Sequence, residues 1–155
     1  MHLRKARDHE LDTIYSIGFE AWSDGLSCED FLSACQSSKK YQDGVWYVLI
    51  ENEQILSSLI VYQNLFSLQD GCFGIGSVAT PKNLRGKGYA SELINLVKIE
   101  LFRNHNGKAI FLHSDINERF YRRLGFDSVN GTRCMFSSNL RYGAFDLCGS
   151  VPTYF

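Results

Sequence analysis

Apolar positions along the chain fall into two periods, and the switches between them mark the elements. His2–Ala6 reads as a short first strand. Asp8 then stands at the cap of a helix with Leu11, Ile14, Tyr15, Gly18 and Trp22 three or four residues apart on one face. Ser23–Gly25 breaks that pattern. Ser27, followed three residues on by Asp30, resembles a capping box and opens a helix through Phe31, Leu32 and Cys35. Gly44–Glu51 and Gln54–Gln63 are β-branched and aromatic, and the intervening Asn52-Glu53 makes them a hairpin. Cys72–Thr80 is a further strand, stopped by Pro81. From Gly86 to Asn104 the period is helical, with Ala90, Leu93, Ile94, Val97 and Leu101 in register. Lys108–Ser114 is a nearly continuous apolar strand, the pattern of a strand covered on both faces. Asn117–Leu124 reads as a short helix closed by Gly125. Phe126–Val129 and Thr132–Ser138 form a strand pair around Asn130-Gly131. The order β-α-α-β-β-β-α-β-α-β-β predicts an α/β (α+β) fold with one mostly antiparallel sheet.

Composition narrows the class. The chain has 155 residues, 45% of them hydrophobic and 14% aromatic, enough for one sizeable core and too apolar for disorder. No repeat or linker interrupts it, so residues 1–155 are expected to form a single domain. Residues 142–155 keep apolar side chains and would pack on the domain or on a second subunit. The net charge is −1, with no basic block, which argues against nucleic acid or an anionic membrane as partner. No apolar run approaches the roughly 20 residues of a membrane span. The opening MHLRKARDHELD lacks the apolar stretch of a secretory signal, and a cytoplasmic location is expected. The five cysteines (Cys28, Cys35, Cys72, Cys134, Cys148) are odd in number and widely spaced, unlike a disulfide framework or a zinc site. The four histidines are equally scattered, so no metal is expected.

Two glycine motifs fail on context. Gly74-Ile75-Gly76-Ser77-Val78-Ala79 fits a dinucleotide fingerprint, but β-branched residues continue to Thr80 where a helix would have to open. Gly86-Lys87 lacks the upstream glycine of a P-loop, because Pro81 stands there.

The stretch Thr80–Ser91 carries chemistry. A strand ends, a basic loop with Gly86 and Gly88 follows, and a long helix begins. Backbone N–H groups at a helix N-terminus favour negative charge, and glycines let them approach a ligand. Lys82, Arg85 and Lys87 add positive charge. The physical reading is a diphosphate cradle.

That run, V-A-T-P-x-x-x-R-G-K-G-Y-A-S, resembles the acetyl-CoA loop of the GNAT superfamily of acyl-CoA-dependent N-acetyltransferases. Gly86 and Gly88 match the family pattern; Asn83 stands where it has Gln or Arg. A second block, Asn117-Glu118-Arg119-Phe120-Tyr121-Arg122-Arg123-Leu124-Gly125-Phe126, resembles the family's N-x-x-F-Y-x-x-x-G-F. The close resemblance covers Gly76–Phe126.

The resemblance implies a sheet of about seven strands, splayed between the fourth and fifth and flanked by about four helices. The pantetheine arm of acetyl-CoA would lie in that cleft. It implies that the backbone of Val78, Ala79 and Thr80 pairs with pantetheine amides. Arg85, Gly86, Lys87, Gly88, Tyr89 and Ala90 would hold the pyrophosphate, with Asn117 and Phe120 beside the arm. Tyr121 matches the general acid: a phenol with an ordinary pKa of about 10 keeps its proton at neutral pH and can give it to the leaving thiolate. The Val78 N–H would be the oxyanion donor. The general base stays open, since Cys72–Thr80 holds no carboxylate. Asp70, Glu20, Asp24, Asp115 and His113 are candidates, as is a water chain ordered by Ser77 or Ser114. The acceptor pocket would draw on Trp22, Asp24, Tyr62 and Phe73. The activity implied is acetyl transfer from acetyl-CoA to a primary amine, of a small molecule or a protein, by direct attack in a ternary complex. The alternative is a non-catalytic acyl-CoA-binding sensor or scaffold. A longer acyl donor or a hydroxyl acceptor is a further variant. The protein would be a monomer or homodimer.

Overall fold

A computed structural model describes residues 1–115, 117–143, 145–147 and 151–155. The strands are β1 (His2–Lys5), β2 (Val45–Glu51), β3 (Gln54–Tyr62), β4 (Cys72–Ala79), β5 (Ala109–His113), β6 (Asp127–Ser128) and β7 (Cys134–Ser138). The α-helices are α1 (Leu11–Ile17), α2 (Phe19–Trp22), α3 (Cys28–Ser37), α4 (Lys39–Asp43), α5 (Tyr89–Asn104) and α6 (Glu118–Arg122). The strands form one sheet in the order β1-β2-β3-β4-β5-β7-β6. Pairing is antiparallel in β1–β2, β5–β7 and β6–β7 and parallel in β4–β5. A parallel pair needs a long crossover, which α5 supplies. The chain makes two compact units: Met1–Ile60 with Ser77–Leu93, and Val61–Gly76 with Ile94–Phe155.

In the first unit, local chemistry sets the turns. Ser27 Oγ accepts the Asp30 N–H (3.1 Å), the predicted cap of α3. Asn52 and Glu53 both take positive φ, 50° and 63°, the turn whose twist matches a hairpin. Two features depart from the sequence reading. The first helix is split at Gly18, where the Trp22 ring lies in the place of a Cβ. The short α4 is an extra element, capped by Ser38 Oγ on the Tyr41 N–H (3.3 Å). Arg4 grips Glu10 through two guanidinium nitrogens (2.9 and 2.6 Å), tying β1 to the turn at Asp8–Glu10. That bond, first among the causes, holds the Glu10 carboxyl down to about 2.

In the second unit, β4 pairs with β5 only over Cys72–Gly74 against Ala109–Phe111, although β4 runs on to Ala79. Alternation puts Gly74, Phe111 and His113 on one face and Phe73, Ile110 and Leu112 on the other. The first of these faces is covered by the tail: Phe145 meets Phe111 edge-on, and Phe155 packs at Gly74. Phe145 and Phe155 therefore pack on their own unit, which the sequence left undecided. Cys72 and Cys134 are buried, which pushes both thiols up to about 11, while Cys28 is exposed. Cys148 lies outside the described residues.

Candidate active site

The first unit holds the glycine loop. β4 ends at Ala79, whose carbonyl accepts the Ser57 hydroxyl (2.9 Å); Ser57 Oγ also meets Thr80 Oγ1 (3.0 Å). A tight turn follows at Lys82–Leu84, closed by Leu84 N–H to Pro81 O (2.8 Å). Arg85 Nε donates back to Thr80 O (3.1 Å). Gly86 and Gly88 then take φ of 76° and 83°, and nothing lies within 4 Å of where a Cβ would stand on either. They are glycines for conformation, not for packing. The first bond across the loop–helix junction is Glu92 N–H to Gly88 O (3.0 Å). The preceding N–H groups of Tyr89, Ala90 and Ser91 lie at the positive end of a 16-residue helix. This exposed, unobstructed cradle suits a diphosphate.

Upstream, Ser77 has φ 48°, a rare value for a non-glycine residue that kinks β4 immediately before the Val78 N–H. Its Oγ donates to the Tyr41 hydroxyl (3.2 Å). Tyr41 is itself stacked on Tyr15 (5.6 Å between centroids) and edge-on to Trp46 (5.1 Å). Sequence reasoning missed Tyr41, because α4 carried no visible pattern.

The base candidates of this unit are placed less favourably. Glu20 pairs with Lys82 (3.5 Å) and Arg85 (3.2 Å), serving as counterion to the loop. Asp24 sits on an exposed turn with φ 50°. Trp22 remains 41% exposed, its ring resting on Gly18.

The second unit holds the block around Tyr121. Asn117 Oδ1 accepts the Arg119 N–H (2.9 Å), so this side chain caps α6. Tyr121 is buried, with the Phe120 ring edge-on (5.0 Å) and Phe126 at 6.2 Å. Burial, and then the Asp115 charge, push its phenol pKa above the ordinary value. The proton a general acid must hold is thus held more firmly. Gly125 turns the chain with φ 87°, and Lys98 Nζ donates to Leu124 O (2.6 Å), pinning this turn to α5.

His113 ends β5. Its Nε2 lies 3.1 Å from Thr153 O, and a carbonyl can only accept, so Nε2 carries hydrogen. Asp115 is exposed and accepts the Tyr154 hydroxyl (2.5 Å). Asp70 is exposed before the opening end of β4, whereas His113 and Asp115 lie at the closing end of β5, toward the Tyr121 block. Ser114 is buried and donates its N–H to Arg133 O (2.8 Å). Phe73 packs against His105 and Gly107, in the core rather than in a pocket. Tyr62 is also buried, against Phe66 and Phe155. Phe66, Tyr154 and Phe155 were missed; nothing in their local pattern signals that Phe155 meets Gly74 and His113, that Tyr154 meets His113, or that Phe66 packs on Phe155. Among the described residues no His/Cys/Asp/Glu group is arranged to hold a metal, and no helix is long and apolar enough to cross a membrane.

A search of curated proteins finds no match. Solved structures match over nearly the whole chain. A GNAT-family acetyltransferase from Brucella melitensis, in complex with acetyl-CoA, is 21% identical over 99% of this chain and 92% of its own, with a TM-score of 0.63. A spermidine N-acetyltransferase chimera from Vibrio cholerae and hSSAT is 16% identical over 92% of this chain and 98% of its own, TM-score 0.67. N-acetylglutamate synthase from Neisseria gonorrhoeae, complexed with coenzyme A and N-acetyl-glutamate, is 12% identical over 88% of this chain and 34% of its own, TM-score 0.68. These likenesses establish the fold. The acetyltransferase (GNAT) family model matches residues 10–126, spanning both the glycine loop and the Tyr121 block, and the chain belongs to that family.

Proposed function

We propose that the chain is a single N-acetyltransferase domain, cytoplasmic, that moves an acetyl group from acetyl-CoA to a primary amine by direct attack. The observation that carries this reading is the open Gly86/Gly88 cradle at the start of α5, in the family's loop position. The N–H groups of Arg85–Ala90 hold the pyrophosphate. Val78, Ala79 and Thr80 pair with the pantetheine arm, and the Val78 N–H, set by the Ser77 kink, stabilises the oxyanion. The amine nitrogen forms a bond to the thioester carbon, the carbon–sulfur bond breaks, and Tyr121 gives its proton to the thiolate. The amine must first lose a proton. His113 and Asp115 are the favoured takers, because Glu20 is engaged with the loop and Asp115 acts on the Tyr121 phenol.

Calorimetric titration with acetyl-CoA, with dephospho-CoA for comparison, tests the donor. Saturable binding near micromolar, about −8 kcal/mol, is expected. No binding up to about millimolar overturns the reading. Tyr121→Phe should then lower kcat about 100-fold and leave acetyl-CoA affinity within about twofold. A sensor would show no turnover to lose.

A further inference from the structure

Tyr41 is held at its backbone and at its ring. Its N–H donates to Ser38 Oγ (3.3 Å), and its carbonyl accepts the Trp46 Nε1–H (3.3 Å). The ring stacks on Tyr15 (5.6 Å, 17° between planes) and lies edge-on to Trp46 (5.1 Å, 80°). Tyr15 and Trp46 are themselves edge-on (5.8 Å) and buried, so the rings lock one another. The hydroxyl is what reaches out of this cluster. It accepts from Ser77 Oγ (3.2 Å), 36 residues away in the chain.

Ser77 needs such an anchor. Its φ of 48° is disfavoured for any residue with a Cβ. Gly76, one residue earlier, could take a positive φ freely and does not. The strained conformation therefore falls on the residue that carries a hydroxyl. One planar peptide joins Ser77 to Val78, so the dihedrals of Ser77 set the direction of the Val78 N–H. On the far side of Val78, the Ala79 carbonyl accepts the Ser57 hydroxyl (2.9 Å). Val78 is thus bracketed by side-chain anchors, one reaching from α4 and one from β3.

We infer that Tyr41 is a positioning residue for the transfer: through Ser77 it holds the β4 kink that directs the Val78 N–H, the proposed donor to the thioester oxygen. The inference rests on the acetyl-transfer reading, with Val78 as its oxyanion donor. Such a donor is effective because it is aimed before charge develops, and a donor free to swing loses that advantage. A hydroxyl fixed by three packed rings supplies the aim from outside the strand.

The test uses full-length protein and needs no acceptor. Tyr41→Phe keeps the ring and removes the hydroxyl; Ser77→Ala removes the donor and keeps the Cβ. In the free protein, NMR amide exchange at Val78 should quicken at least about fivefold in either variant. The double variant should exchange no faster than the singles, since both remove one bond. The Ile110 amide of β5 should be unchanged, and equal quickening there would make Tyr41 merely structural and overturn the inference. The second readout is the infrared carbonyl band of isotope-labelled acetyl-CoA bound to the protein. Wild type should lower this band relative to free acetyl-CoA, and Tyr41→Phe should return it by about half or more. Acetyl-CoA affinity should stay within about twofold by calorimetry. Unchanged Val78 exchange, a Tyr41→Phe band equal to wild type, or a wild-type band no lower than that of free acetyl-CoA overturns the positioning role. If wild type binds no acetyl-CoA, the acetyl-transfer reading falls, whereas the exchange data decide the Ser77 anchor separately.

Discussion

The glycine loop of the first unit and the aromatic face of the second use the same residue type for opposite reasons. At Gly86 and Gly88 the backbone has positive φ and the space around a Cβ is open. At Gly74 the backbone is ordinary and the space is full, with three Phe155 ring carbons 2.6–3.0 Å from where a Cβ would stand. The loop leaves its backbone open to solvent at both glycines, and the proposed ligand is not part of the chain. The aromatic face is a surface the chain has covered with itself. A glycine therefore marks a binding site only when its missing side chain leaves room. Gly74, which opens the G-x-G-x-x-A stretch, is a packing site, while Gly86-x-Gly88 is the proposed cradle.

Four substitutions sharpen or break this contrast. The largest effect is expected for Phe155→Ala, which empties a buried aromatic site and should cost about 3 kcal/mol of unfolding free energy by denaturant titration. A loss below about 0.5 kcal/mol would mean that the segment is not packed on β4. Next comes Gly74→Ala, expected to cost about 2 kcal/mol through overpacking against the ring. Its cost should largely vanish in the Phe155→Ala background, and a double-mutant cycle reads that coupling directly. If the two costs simply add, the close approach is absent.

Third is the Arg4–Glu10 pair, which belongs to the first unit and should respond to acid. Glu10 is depressed in the folded protein, so its contribution is fully present above the ordinary carboxylate range near pH 4.5 and is lost as pH falls toward about 2. Glu10→Gln should cost about 1–2 kcal/mol at pH 7 and flatten the acid limb of the stability profile. An acid limb identical to wild type would refute the pairing. Smallest in stability is Gly88→Ala, about 1 kcal/mol, since only the positive φ opposes the methyl group. Here affinity should move instead: acetyl-CoA binding should weaken about tenfold in calorimetry, whereas Gly74→Ala should leave it unchanged. Equal effects of the two glycine substitutions on affinity would erase the distinction between cradle and packing site.

Much of the scaffold was legible because its causes are local. Ser27 with Asp30, the Asn52-Glu53 turn, Pro81 after the fourth strand and Gly125 after α6 act on neighbours a few residues away. The α5 core stripe and the apolar fifth strand follow from period alone. The misses share a different cause. Gly18 divides a helix because the Trp22 ring packs on it, and periodicity does not register that contact. Phe73 and Tyr62 were aromatic candidates for a pocket and lie in the core, since aromatic content in a strand does not reveal which face is open.

By itself the sequence determined the order of elements, the glycine cradle at the start of the long helix and the tyrosine block that follows the fifth strand. Each is written in spacing and in residues with one strong conformational or chemical preference. Only the tertiary structure decided that Glu20 neutralises Lys82 and Arg85, that Tyr41 holds Ser77, and that segment Val151–Phe155 brings Tyr154 to Asp115. Those partners are distant along the chain. What joins them is packing of whole faces, and no local pattern encodes which distant side chain fills the space above a given strand.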